Sequence, residues 1–181
     1  MTNNLKFKIK LSEIGKIKGC FELDNETLPF EAVNASNPMG DLLKAMVSII
    51  QEPAHLWDEE NSTAVEWYCD DYIFTLKFSS NDGKTLNLSL TRNCAPFGEQ
   101  LPAVTIKGKL ELEVFYLTII KELDSMIKKM GLLNYAQLWQ HDEFPLTYFL
   151  LLKKYLIEWK RWEPSKEESD ILESEFMIVL S

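Results

Sequence analysis

A chain of 181 residues, 46% hydrophobic, 12% aromatic and 26% charged, can bury roughly 70% of its unfolded surface and needs no disulfide or metal staple. That composition excludes a disordered chain, a collagen-like chain and a simple coiled coil. A formal net charge of −9 argues against sequence-independent nucleic-acid binding, which depends on a positive surface.

The first half reads as strands. Leu5, Phe7, Ile9 and Leu11 alternate with Lys6, Lys8 and Lys10, and Ile17, Phe21 and Leu23 alternate with Lys18 and Glu22. Period-two alternation marks a strand with one dry face and one wet face. Asp24-Asn25 suits a turn into a third strand near residues 28–33, with Leu28, Phe30 and Ala32 inward. A helix follows, capped by Asn37, with Pro38 at its first position and Pro53 at its end. Met39, Leu42, Met46 and Ile49 form its apolar stripe.

Three more strands come next. Val65, Trp67 and Cys69 share one face; so do Tyr72, Phe74, Leu76 and Phe78; so do Leu86, Leu88 and Leu90. Asn81-Asp82-Gly83-Lys84 joins the last two as a hairpin, because Gly83 readily takes a positive φ. Residues 93–102 read as a loop, and residues 104–106 as a short strand.

Then the period lengthens. Leu112, Phe115, Ile119, Leu123, Met126 and Met130 recur at helical spacing, and Gly131 suits the stop. A short helix is expected over residues 134–141. Another runs from Pro145 to about Trp159, with a polar strip so narrow that it predicts burial on most sides or an oligomer interface. Ser165 and Glu168 have capping-box spacing for a weak last helix, while residues 176–180 read as a strand or an ordered tail. Strands first and helices later mean α+β. The expectation is one domain, residues 1–181, with 165–181 weakly ordered. It holds an antiparallel sheet of five or six strands, helices on one face and a helical C-terminal half.

The amino-terminal stretch lacks the apolar core of a signal peptide, and the longest apolar run stops at Lys153, short of a membrane span. Cys20, Cys69 and Cys94 are odd in number, with no CxxC spacing. They read as thiols in a reducing cytoplasm, away from membranes.

Little catalytic chemistry is visible. None of the seven glycines builds a phosphate-binding loop. His55 and His141 lie far from each other and from every cysteine in sequence, so no metal or cofactor site is expected. Cys69 reads as a core position rather than a nucleophile. Paired acids such as Asp70 and Asp71 are common solvated groups in an acidic chain.

Charge distribution is more informative. Between Lys44 and Lys77 there is no lysine or arginine, yet the window holds Glu52, Asp58, Glu59, Glu60, Glu66, Asp70 and Asp71, with Trp57, Trp67, Tyr68 and Tyr72 among them. One reading is a solvated loop and sheet edge that keeps the chain soluble. The other is an anionic patch with aromatic anchors that steers and grips a basic protein. On that second reading Trp57, Asp58, Glu59, Glu60, Glu66, Asp70 and Asp71 are the candidate contact residues.

The run LLNYAQLWQHDEFPLTYFLLL carries a Tyr135-x-x-x-Trp139 step, then Phe144-Pro145 and a leucine-rich helix, after a helix ending in Met130-Gly131. Upstream, Ser36-Asn37-Pro38 leads into Asp41-Leu42-Leu43. This layout resembles small acidic bacterial proteins of unknown or immunity-type function, some encoded beside polymorphic toxins. The resemblance implies a non-enzymatic, stoichiometric inhibitor of a basic toxin domain, monomeric or homodimeric. A secretion-type chaperone for an effector and a small enzyme remain as alternatives.

Overall fold

The computed structural model describes residues 4–51, 61–94, 102–163 and 170–181. These form β1 (Leu5–Glu13), β2 (Lys16–Leu23), β3 (Glu26–Val33), α1 (Pro38–Gln51), β4 (Asn61–Tyr68), β5 (Tyr72–Ser80), β6 (Thr85–Cys94), β7 (Val104–Glu111), α2 (Leu112–Met130), α3 (Leu132–Trp139), α4 (Leu146–Glu158) and α5 (Asp170–Leu180). The fold is α+β. Instead of one sheet of five or six strands there are two antiparallel sheets, ordered β1-β2-β3 and β4-β5-β6-β7. Alternation identifies the strands but carries no information on where a sheet divides. The division falls at α1, which separates β3 from β4 in the chain; among the described residues one isolated bridge, between Ala32 and Cys69, links the two sheets there. The short strand expected at 104–106 continues to Glu111 because its partner β6 runs alongside from Arg92 to Thr85.

Register places the apolar residues in layers. Phe7, Phe21 and Leu28 lie in one row of the first sheet, and Ile9, Gly19 and Phe30 in the next. Gly19 stands there because a Cβ would sit 2.5 Å from the Phe30 ring and 2.2 Å from the Lys8 carbonyl oxygen. In the second sheet Val65, Leu76, Leu90 and Ile106 form a row, flanked by Trp67 and Phe74. The two layers meet through rings: Phe30 to Trp67 at 4.8 Å, Phe30 to Phe74 at 5.3 Å, Phe21 to Phe74 at 5.9 Å and Phe21 to Trp67 at 6.1 Å between centroids. Each pair contributes about 0.5–1.5 kcal/mol beyond the area it buries.

The helices close the core from other sides. α2 packs on β1, and α1 on β4. α1 begins where the sequence places it: the Gly40 N–H donates to Asn37 Oδ1 at 2.9 Å. Phe115 of α2 meets Phe78 at 5.4 Å, and the Tyr116 hydroxyl donates to the Met46 carbonyl of α1. Asp124, only 4% exposed, is held by Lys128 at 2.7 Å and by Lys153 of α4 at 2.6 Å. A buried carboxylate is tolerable only with such partners.

Two helical expectations change. α4 buries only Phe149, Leu152 and Leu156, and Leu150 and Ile157 are more than half exposed. It is therefore covered on one face, not on most sides; a narrow polar strip counts apolar residues, not the surfaces available to cover them. Residues 176–180, expected as a strand or an ordered tail, are not a strand but the second half of α5. A short apolar run has no period of its own, and here Asp170 and Glu173 in the first turn favour a helix start. Pro53, Ser165 and Glu168 lie outside the described residues.

Two predictions follow from this packing. Trp67→Ala should cost about 3–5 kcal/mol in urea unfolding, whereas Trp67→Phe should cost distinctly less, because the indole N–H has no acceptor among the described residues. In the β5–β6 hairpin, Asp82 Oδ1 accepts the N–H groups of Lys84 at 2.8 Å and Thr85 at 2.7 Å, which lower its carboxyl to about 2. Its folded value lies below the unfolded one of about 3.9. The stabilisation is therefore present above that pH and is lost as pH falls towards 2. It should be no more than about 1 kcal/mol at this exposed turn, and Asp82→Asn should remove it from a pH–stability profile.

Candidate functional site

Strict alternation along β4 sends Val65 and Trp67 into the core and leaves Glu66 and Tyr68 on the outer face. The chain then turns through Cys69, Asp70 and Asp71. The Cys69 N–H donates to the Tyr72 carbonyl at 3.0 Å, closing the turn. Tyr72 holds this corner against the other sheet: its hydroxyl accepts the Glu31 N–H at 2.9 Å, and Arg92 stands 5.6 Å from its ring centroid. Ser36, just before α1, accepts the Tyr68 N–H at 3.2 Å. Tyr68 is thus fixed in backbone position while its side chain is 44% exposed.

The carboxylates of this corner are not equivalent. Asp70 pairs with Lys16 at 3.0 Å, and Lys16 also reaches Glu31 at 3.8 Å. Lys18 meets the same Glu31 oxygen at 3.1 Å. The hydrogen bond and charge of Asp70 raise the Lys16 ammonium above its ordinary value. Glu66 and Asp71 are exposed and make no ion pair among the described residues. Beside Glu66, between β4 and α1, lies an open cleft of about 480 Å³ lined by Asp41, Lys44, Ser48 and Thr63 among others. Partial burial pushes the Asp41 carboxyl up, against the opposing pull of the Asn37 backbone and Lys44.

Of the sequence candidates, Glu66 lies on the outer face of β4 and Asp70 and Asp71 lie in the turn that follows it; Trp57, Asp58, Glu59 and Glu60 lie outside the described residues. Trp67, counted among the aromatics of the acidic window, is fully buried in the ring cluster. Tyr68 is the exposed ring of β4. Alternation already assigns it to the face opposite Trp67. The lysine that engages Asp70 lies 54 residues away in the chain, and nothing local announces it.

Cys69 is buried, with its thiol 3.7 Å from the Trp67 carbonyl oxygen. Burial pushes that thiol up, with the Tyr72 hydroxyl pulling the other way, and burial pushes the Tyr72 hydroxyl up in turn. Both groups stay protonated at neutral pH. His141 is exposed and meets Asp142 at 3.3 Å. Among the described residues no group of three or more His, Cys, Asp or Glu could hold a metal ion. No helix is long and apolar enough to cross a membrane among them.

No family model, curated protein or solved structure matches the chain.

The thiol geometry is directly testable. In a Cys94→Ser variant, the half-exposed Cys20 should react promptly with a disulfide reagent at pH 8, and Cys69 should react only on unfolding. Equal rates for both thiols would contradict the buried position of Cys69.

Proposed function

We propose that this chain is a non-enzymatic acidic binding protein of the immunity type, acting in the cytoplasm to neutralise a basic toxin or effector domain by stoichiometric binding. The observation that carries this reading is the β4–β5 corner. There Glu66 and Tyr68 are exposed on the outer face of β4 and Asp71 is exposed in the turn that follows, and neither carboxylate is already spent on a cation among the described residues. A ring set among acids suits a basic partner: the carboxylates steer the encounter, and the ring gives contact area at low entropic cost. Asp70 belongs to the same patch but contributes less, because Lys16 already offsets it. Trp57, Asp58, Glu59 and Glu60 remain in the proposed patch on sequence grounds.

The reading accounts for the charge balance. A nuclease-type toxin carries a positive cleft for phosphates, and an acidic protein of net charge −9 would approach it rapidly at low salt. With a screening length of about 8 Å at physiological ionic strength, that advantage should fade as salt rises.

The deciding experiment co-expresses the product encoded beside this chain and follows survival and co-purification. A neighbour that is toxic alone and silenced in a stable complex supports the reading; a harmless neighbour with no complex removes it. Within such a complex, the double reversal Glu66→Lys with Asp71→Lys should slow association about tenfold at low salt and flatten its salt dependence. Asp70→Lys should do less, and Tyr68→Ala should act chiefly on dissociation. An unchanged association rate in the double reversal would displace the patch from this corner.

A second reading, a secretion-type chaperone, has one observation in its favour. α4 and α5 leave Leu150, Ile157 and Phe176 about half exposed, as a surface for an unfolded effector segment would. A chaperone binds a short unfolded peptide, whereas an inhibitor needs the folded domain, so a peptide titration separates the two.

A further inference from the structure

α3 starts with a defect. It follows α2 with only Gly131 between them, at φ +80°, and a glycine offers no side chain to cap the new helix. The first N–H groups of a helix have no partner within it. Here the cap comes from 42 residues further on: the Glu175 carboxylate of α5 accepts the Leu132 N–H at 2.7 Å through Oε2 and the Leu133 N–H at 2.9 Å through Oε1. The negative group also sits at the positive end of the α3 dipole. Gly131 makes room for it, since a Cβ there would lie 2.6 Å from Glu175 Oε1 and 2.4 Å from Ile171 Cγ2.

Besides the packing of Leu172 against the core, little else holds α5 among the described residues. None of its residues is buried, and only Leu172 and Glu175 are even partly covered. By contrast α2 buries nine residues. An isolated helix of 11 residues is marginal in water. α5 is therefore helical because it is docked, and its docking rests on one edge, Ile171, Leu172 and Glu175, spaced to meet the α2–α3 joint. Its second half, from Phe176 through Met177, Ile178 and Val179 to Leu180, points to solvent.

We propose that α5 is a detachable strap, clasped to the α2–α3 joint by the Glu175 carboxylate. Docked, it caps α3 and covers Gly131. Released, it unravels, uncaps α3 and exposes Gly131, while the sheets and α2 stay folded. Local opening of this kind is expected where few apolar contacts secure an element.

Amide hydrogen exchange followed by NMR on the full chain tests the strap. In the unmodified protein, α5 amides should exchange at least about 100-fold faster than the central amides of β5 and β6. Glu175→Ala should speed exchange of α5, Leu132 and Leu133 amides by a further factor of about ten, the loss expected for one helix cap, and leave β5 unchanged. Glu175→Gln keeps one acceptor oxygen and should fall between. The proposal is overturned if α5 exchanges as slowly as β5 and β6, or if Glu175→Ala leaves α5 unchanged. It is equally overturned if Glu175→Ala and Ile171→Ser both destroy the whole fold, because α5 would then be part of the global folding unit.

Discussion

The packing of Phe21 and Phe30 from one sheet against Trp67 and Phe74 from the other is the contact on which the remaining architecture depends. Among the described residues one backbone bridge, Ala32 to Cys69, joins the sheets, and the polar links at that edge are the Glu31 N–H to the Tyr72 hydroxyl and Lys16 to Asp70. The sheets' relative placement rests chiefly on ring-to-ring burial, with centroids across the sheets 4.8 to 6.1 Å apart. Rings interlock at definite angles, from near-stacked for Trp67 with Phe74 to edge-on for Phe30 with Trp67, and so fix orientation as well as distance. A slip of one residue in β2 or β4 would turn Phe21 or Trp67 to solvent. The cluster thus specifies register in both sheets, and α1 and α2 find their seats on β4 and β1 only once that register is set.

The sequence pattern reveals strands and helices better than it reveals their assembly. Strand membership was legible because Lys6, Lys8 and Lys10 cannot face a core that Leu5, Phe7 and Ile9 enter. The α1 start was legible because Asn37 and Pro38 act over three or four residues. The partition into two sheets was not, because pairing joins residues whose separation in the chain has no local mark. The same limit hid the exposed flank of α4, which depends on what α1 and α2 leave uncovered. α5 shows it most sharply: Asp170 and Glu173 favour its start, but the carboxylate that docks it, Glu175, caps a different helix, and no window within residues 170–181 announces that.

The candidate site shows that limit for charge. Counting residues between Lys44 and Lys77 treats Glu66, Asp70 and Asp71 alike. Folding separates them, bringing Lys16 of β2 onto Asp70 while Glu66 and Asp71 keep solvent. An exposed pair of this kind contributes little to stability, yet it changes what the corner presents to a partner. The lysine-rich start of the chain is handled in a similar way. Lys6 meets Glu22, Lys8 meets Glu122, and Lys18 meets Glu31, so much of the amino-terminal positive charge is answered within the protein. The surplus of acid is left to be expressed elsewhere, and the β4–β5 corner is one place where it is.

The binding face proposed here and the core are two readings of one strand. Trp67 points in because it completes the ring cluster, and Tyr68 points out because it follows Trp67. Ser36 and Glu31 then pin the corner from α1's leading edge and from β3, through the Tyr68 N–H and the Tyr72 hydroxyl. No separate loop has to be ordered to present Tyr68, so a partner would meet a backbone already fixed, and little entropy would be lost on binding there. The same coupling sets different limits on the two faces. A change at Trp67 shifts the cluster and moves the face with it, whereas changes at Glu66, Tyr68 or Asp71 leave every buried ring in place. A surface that must follow a changing partner can therefore vary at these three outward positions while the inward alternation of β4 holds the fold.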